Sequence, residues 1–460
     1  MNLALSTSSS TTVPIAVSIA GFAVNASPPP AVEAVCRRLI MDIVALAVAA
    51  RDTEYVQAAL KSAVDDGGCT AFGHSRMLGV YDAALVNGTA AHGEDYDDTF
   101  EGGPIHAGAV IIPAVMAIAE KRGLDGQAVM RGIAVGAELM CRMSLVAPQA
   151  THKASFHPTA IFGAPAAAAA VGAALGLDEV AIARALGISG SLASGIIEYL
   201  ADGSSTKRLH AGAAAQSGIR AALLAEAGFS GPISVFEGSH GLYKAFAPSK
   251  VADFGRLTDG LGTSWIVETL AFKPYACGTM TQPFIDCAMM LAKTGIKAED
   301  IVSITCTVGE GTVHRLWEPL ARKHAPPNGY AGKFSTPYCI AVGFTDGEAG
   351  LGQFTDERVL DPALRALAAK VSYEINPDDP YPGNFVGHLR AKLTDGSVQE
   401  FHQPHMRGGA HEPLPDDELQ AKFVANMRFG GMADGQIKAL GNALGEIADG
   451  GRVDLSAARP

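Results

Sequence analysis

From Ala31 to Ala50 the run AVEAVCRRLIMDIVALAVAA places apolar residues at helical spacing, interrupted only by Arg37, Arg38 and Asp42, as in an amphipathic helix that becomes buried. The pattern persists downstream. Runs near 77–92, 108–122, 125–146, 159–176, 179–200 and 207–228 are each rich in Ala, Leu, Ile or Val and separated by Gly, Asp or Pro. They predict an all-α domain of at least six helices. Beyond Phe229 the chain turns Gly- and Ser-rich, and past Gly262 short alternating segments predict strands at Ile301–Val308, 384–393 and 398–402. Helical runs near 281–293, 335–345 and 362–370 lie among them, which describes an α+β unit. Two final runs, about 415–427 and 433–448, return to the first style. The expected fold is mainly α: a large helical domain over residues 1–262 with 404–460 packing back on it, and a smaller α+β domain over 263–403.

Against this apolar background the stretch His92–His106, HGEDYDDTFEGGPIH, puts five carboxylates between two histidines, with a Gly102-Gly103-Pro104 turn inside it. A charge run of this kind reads either as a solvated loop or as acid/base chemistry held between two helices. Other ionisable clusters bear on the choice.

The second cluster is DGSSTKRLH, Asp202–His210, which opens a helix. Lys207, Arg208 and His210 stand where the helix dipole disfavours cations, so they need compensation, and with the free N–H groups they suit an anionic ligand. A surface ion pair to Asp202 or Glu198 is the plainer alternative. Ser204, Ser205 and Thr206 fit helix capping better than nucleophilic chemistry. His157 precedes the Ala-rich run as either a structural hydrogen-bonder or a pocket residue. In FKPYACGTMTQ, Pro274 keeps Lys273 extended, with Tyr275 as a phenolic donor two residues on. Cys277 reads as packing, and Tyr338 as a further donor or a core aromatic. The glycines of GISGSLASG lack a preceding strand and a Gly-Lys-Ser/Thr ending, which excludes a phosphate loop.

Bulk properties narrow the partners. At 460 residues two domains are expected, and 48% apolar residues suffice for two cores. A net charge of −12 without a basic patch argues against nucleic acid. Seven dispersed cysteines with no C-x-x-C pair fit a reducing, cytoplasmic setting. The start of the chain, without Lys or Arg before Arg37, lacks a cationic leader and reads as a lead-in to a short helix. Residues 158–177 are long enough to span a bilayer but consist mostly of Ala and Gly, so a buried core helix is expected and no membrane partner.

NGTAAHGEDYDDT, FHPTAIFGAPAAAAAVGAALGL, ARALGISGSLASG, LADGSSTKRLHAG and FKPYACGTMTQPFID together resemble the MmgE/PrpD family, in order over roughly residues 30 to 430. The family includes 2-methylcitrate dehydratase, cis-aconitate decarboxylase and iminodisuccinate epimerase. The resemblance implies a large helical domain, an α+β lid, a homodimer, no metal or organic cofactor, and a site between the domains. It carries the family's pocket residues onto Asp95, Thr99, His106, His157, Lys207, Lys273 and Tyr338. Decarboxylase-like members carry histidine after the FK lysine, whereas Gly278 and Gln282 stand here.

The chemistry implied is proton abstraction alpha to a carboxylate. The first expectation is a cofactor-independent hydro-lyase on a small di- or tricarboxylate. Lys207, Lys273 and Arg208 would hold carboxylates with Thr99, His210 and Tyr275; His106 and His157 would exchange protons; Asp95 would orient His106 or act as base; Tyr338 would donate. Epimerisation or decarboxylation of an acidic substrate is the alternative on the same scaffold. A metal-binding or non-catalytic scaffold role for HGEDYDDT is the alternative of another class; its oxygen and imidazole donors allow it, but no His-x-x-x-His or Glu-x-x-His spacing supports it. Within the loop, Glu94 and Glu101 are expected to face solvent, and Asp97 and Asp98 to accept backbone N–H bonds.

Overall fold

The computed structural model describes residues 13–460, so the lead-in expected before residue 13 lies outside the described residues. Helices dominate. The chain runs through Ile15–Asn25, Pro30–Ala49, Glu54–Ser62, Val80–His92, Gly108–Arg122, Gly126–Val146, Pro158–Leu175, Glu179–Gly190 and Thr206–Glu226 before the first long irregular stretch. Local chemistry sets several of these ends. Gly123 and Gly176 close two helices in the left-handed conformation, Asp125 and Asp178 cap the next ones through their carboxylates, and Pro158 starts its helix where no N–H is needed.

Pro158–Leu175 is buried over all but its last residue and packs against Gly108–Arg122, Gly126–Val146, Glu179–Gly190 and Thr206–Glu226. Its small residues let backbones approach closely. A Cβ on Gly218 would lie 2.3 Å from the Ala167 Cβ, and one on Gly212 would lie 2.1 Å from the Leu85 carbonyl of the neighbouring helix Val80–His92. Its apolar length, sufficient to span a bilayer, is thus spent on helix-to-helix contact.

Two apolar cores result. The first gathers residues from Ile15 to Phe272 and resumes with Leu414 to Ala458, because the last two helices, Asp416–Phe429 and Asp434–Ala448, pack on Pro30–Ala49 and Gly126–Val146. The second gathers Tyr275 to Leu393 together with Leu46, Ala49 and Tyr96. It is built on a four-stranded sheet in the order Val371–Ile375, Ile301–Val308, Gly387–Leu393, Val398–Gln403. The first pair is parallel and the other two antiparallel. Helix Gln282–Lys293 packs against the Gly387–Leu393 and Val398–Gln403 strands and against Thr336–Asp346.

Two expectations differ from what is observed. The helical run anticipated over 179–200 stops at Gly190, and the chain then turns through Gly195, whose φ of +136° is closed to most side chains. Strand Val371–Ile375 was not anticipated: its burial barely alternates, so periodicity does not reveal it.

Candidate functional site

The loop that follows helix Val80–His92 runs between the two cores, held from both. Asp98 accepts backbone N–H bonds from Ala107 and Gly108, at 3.0 and 2.9 Å, and so fixes the start of helix Gly108–Arg122. Burial and the neighbouring Asp97 push its carboxyl up to about 8 against those two bonds. Asp97 is braced differently from expectation: its Oδ2 accepts from His92 Nδ1 at 2.7 Å and lies 3.5 Å from His106 Nδ1. Glu94 does not face solvent freely. It binds Lys333 Nζ at 2.5 Å and accepts the Tyr55 hydroxyl at 2.8 Å. Glu101 accepts the Ala410 N–H at 3.0 Å. On the far side of the loop, Lys422 donates to the Tyr96 carbonyl at 2.8 Å while paired with buried Asp42.

Asp95 is the centre of this arrangement. Its backbone is left-handed, at φ 54°, a conformation that costs a non-glycine residue on the order of 1 kcal/mol. The side chain is ion-paired with Lys207 and accepts the Tyr330 hydroxyl at 3.0 Å, and its carbonyl accepts Lys273 Nζ at 2.8 Å. Burial alone would raise its carboxyl, but Lys207, Lys273 and His92 together hold it well below the usual carboxylate range. Lys207 thereby finds its compensation at the helix start: it pairs with Asp95, not with Asp202 or Glu198. Burial still draws the Lys207 ammonium below its ordinary value, with Asp95 opposing.

Two imidazoles face the same space. His106 Nδ1 lies 2.8 Å from the Asp98 carbonyl, which can only accept, so Nδ1 carries the hydrogen and Nε2 keeps a free lone pair. Burial, opposed by Asp97, brings His106 down to about 3. His157 Nδ1 lies 3.1 Å from His210 Nδ1, and burial with His92 and Lys207 nearby holds His157 well below its ordinary value. His210 is drawn down to about 4, again chiefly by burial.

These groups open on a cavity of about 210 Å³ lined by Asp95, Thr99, His106, His157, Lys207 and Lys273 from the first core side. Gly278, Met280, Arg315, Phe334 and Tyr381 line it from the second, with Gln149, His152 and Tyr199 at its edge. Six of the ten residues singled out from sequence therefore share one cavity, and His210 supports its wall through His157. Three others stand elsewhere. Tyr338 is fully buried and its hydroxyl donates to the Gln353 carbonyl at 2.7 Å. Tyr275 donates to Asp286 at 2.5 Å and meets Arg407. Arg208 stacks between the rings of Tyr55 and Tyr330 and donates to the Gly93 carbonyl at 3.1 Å. Asp95 likewise does not orient His106; the Asp98 carbonyl and Asp97 do.

The sequence reading did not single out Tyr330, Tyr199, Lys333 or Arg315. Their side chains carry no spacing or repeat that marks them, and their position in the fold is what reveals them. His92, Asp97 and His106 present ligand atoms within 4.8 Å of one another, a spacing that would have to close for all three to reach one metal ion. Both Nδ1 atoms are already hydrogen-bonded, so an ion there would have to displace those bonds or use the Nε2 atoms.

The fold and cavity define a two-core, mainly α protein whose acidic loop and basic helix start converge on one polar cleft. Models of the MmgE/PrpD N-terminal and C-terminal domains match residues 14–254 and 275–441, and the chain belongs to that family. It is 28% identical over 419 residues to a cis-aconitate decarboxylase of Aspergillus terreus, covering 84% of this chain and 83% of that one. It is also 28% identical over 358 residues to the cis-aconitate decarboxylase of Homo sapiens, covering 75% and 72%.

Proposed function

We propose that this protein is a lyase acting on a small di- or tricarboxylate, by proton abstraction alpha to a carboxylate followed by loss of the β-hydroxyl. The observation that carries the reading is His106, which lines the cleft with its Nδ1 hydrogen tied to the Asp98 carbonyl and shares that cleft with Lys207 and Lys273. The imidazole is uncharged at neutral pH and so has a lone pair for the proton. Burial brings it down to about 3, so it acts as a base only once substrate carboxylates beside it raise it, and the ammonium groups stabilise the enolate-like charge that results. His157, with its ring set against His210, is the second proton carrier. Asp95, doubly bonded and strongly acidic, is an anchor for Lys207 and not the base. The second-core side of the cleft acts as a lid that excludes water and so strengthens each charge contact.

Decarboxylation is the second reading, favoured by the names of the relatives. Gly278, which lines the cleft, brings no side chain to it, so protonation of a carbanion after decarboxylation would fall to the same imidazoles, His106 and His157. Incubation with 2-methylcitrate-like hydroxy acids and with cis-aconitate in deuterated water, followed by proton NMR and carbon dioxide release, separates the two. An alkene formed with loss of water is the expected result. Carbon dioxide release establishes the second reading, and solvent label incorporated with neither product would mean epimerisation and sink both.

A further inference from the structure

Three cations line the cleft, and two are already engaged. Lys207 is paired with Asp95, and Lys273 donates to the Asp95 carbonyl. Arg315 differs: among the described residues its guanidinium has no carboxylate within 4.0 Å and no hydrogen-bond acceptor, and its one defined contact is the Phe334 ring, 5.2 Å from its Cζ. A guanidinium held beside an aromatic ring is attracted to it through its charge and keeps its N–H groups available to an anion. The platform beneath is rigid. Arg315 projects from the short helix Glu310–Leu316, and the next two residues, Leu316 and Trp317, are fully buried, with Trp317 edge-on to Phe284.

We propose that Arg315 is a carboxylate subsite of the cleft, which takes the carboxylate remote from the reacting carbon and so selects substrates with more than one acidic group. This rests on the reading of the cleft as a site for a carboxylic acid. Arg315 comes from the second core and shares the Phe334 ring with Lys207, whose Nζ lies 5.8 Å from the ring centroid, so a substrate held by Arg315 and by the lysines spans the boundary between the cores. A planar fork presented on a ring favours bidentate binding, which a lysine at the same place reproduces only in charge.

The test uses the full-length protein with tricarballylate, an unreactive tricarboxylate, followed by calorimetric titration. Arg315→Gln should weaken its binding roughly 10- to 100-fold, the range expected for losing a charge-assisted hydrogen bond, and Arg315→Lys should recover part of the loss. With an acid that is turned over, cis-aconitate being tried first, Arg315→Gln should raise KM by a similar factor and leave kcat within about 3-fold. Affinity within 2-fold of the parent, or a fall in kcat at constant KM, overturns the subsite while leaving the lyase reading intact. A parent protein that binds no tricarballylate and changes no carboxylic acid overturns the lyase reading and the subsite with it. Thermal melting of each variant guards against simple unfolding; if Arg315→Gln does not fold, Arg315→Lys carries the same comparison at smaller amplitude.

Discussion

The Tyr330 hydroxyl donates to Asp95 Oδ2 at 3.0 Å, joining residues 235 positions apart, one on the cleft and one behind it. Asp95 is thus fixed by Lys207 from the first core and by Tyr330 from the second. Tyr330→Phe removes a hydrogen bond to a charged group, worth about 1.5–3 kcal/mol, and should lower kcat/KM roughly 10- to 100-fold through a displaced Lys207. Tyr338→Phe should leave kcat/KM within 2-fold, since that hydroxyl serves only the Gln353 carbonyl. Steady-state kinetics on both variants checks the assignment, and equal losses would contradict it.

Breaking the Lys207 and Asp95 pair leaves a charge buried without its partner, at a cost of about 3–5 kcal/mol. Lys207→Met is expected to lower stability by that amount and to abolish turnover. The double variant Lys207→Met with Asp95→Asn should regain much of the stability and none of the activity. Urea unfolding with a parallel assay checks both halves of the statement.

A second buried pair lies behind the loop. Lys422 holds Asp42 at 2.7 Å and sits 3.9 Å above the Tyr96 ring, so helix Asp416–Phe429 reaches the acidic loop directly. Lys422→Met should cost about 3–5 kcal/mol and also reduce kcat, although residue 422 lies outside the cleft. An unchanged kcat in a folded variant would show that the brace does not reach the site.

Acid should unfold the protein earlier than its net charge suggests. His106 and His210, brought down to about 3 and about 4, take up protons in the unfolded chain near pH 6.5 but not in the folded one. Their contribution is complete above about 6.5 and is lost as pH falls toward about 4. Each contributes a slope of up to about 1.4 kcal/mol per pH unit. Asp98, raised to about 8, opposes them: it is protonated when folded and ionised when unfolded across that window, and its contribution fades as pH rises through 8. His106→Gln should therefore reduce the slope of unfolding free energy against pH by about one proton, and Asp98→Asn should increase it by as much. Denaturant titrations between pH 4.5 and 6.5 measure both.

Gly212 is required by proximity alone. A methyl group there would lie 2.1 Å from the Leu85 carbonyl, so Gly212→Ala must push apart the helices carrying His92 and Lys207. Destabilisation of more than about 2 kcal/mol is expected, a typical overpacking cost. A thermal midpoint equal to that of the parent would mean that the helices separate without strain.

Much of this architecture is legible in the chain, because long Ala- and Leu-rich runs with Gly, Asp and Pro at their ends leave little choice but helices. Ile301–Val308 is equally clear, its alternation being that of a strand covered on one face. The loop residues Asp95 and His106 stand out by charge density, Thr99 only through the family resemblance, and Lys207 by its unfavourable place at a helix start. What escapes is the second-core side of the cleft. Tyr330 and Arg315 lie in short helices, Gly329–Gly332 and Glu310–Leu316, whose sequences give no sign of what they face. Tyr338 was more prominent than Tyr330 because it sits in a regular apolar helix, and that same regularity buries it. Glu94 looked like a solvent group because its partner, Lys333, is 239 residues away.

The return of the last two helices to the first core bears on how the molecule is made. Leu419, Phe423, Leu440 and Leu444 complete a layer begun by Leu39 and Ile43, so that core stays open to water until nearly the whole polypeptide has been synthesised. The second core, nearly all of it drawn from residues 275–393, needs no such wait. During translation it is expected to gain protease resistance first, with the cleft and its charged loop assembled as the last event; a chain truncated after residue 410 and released should show a protected fragment from the second core and none from the first.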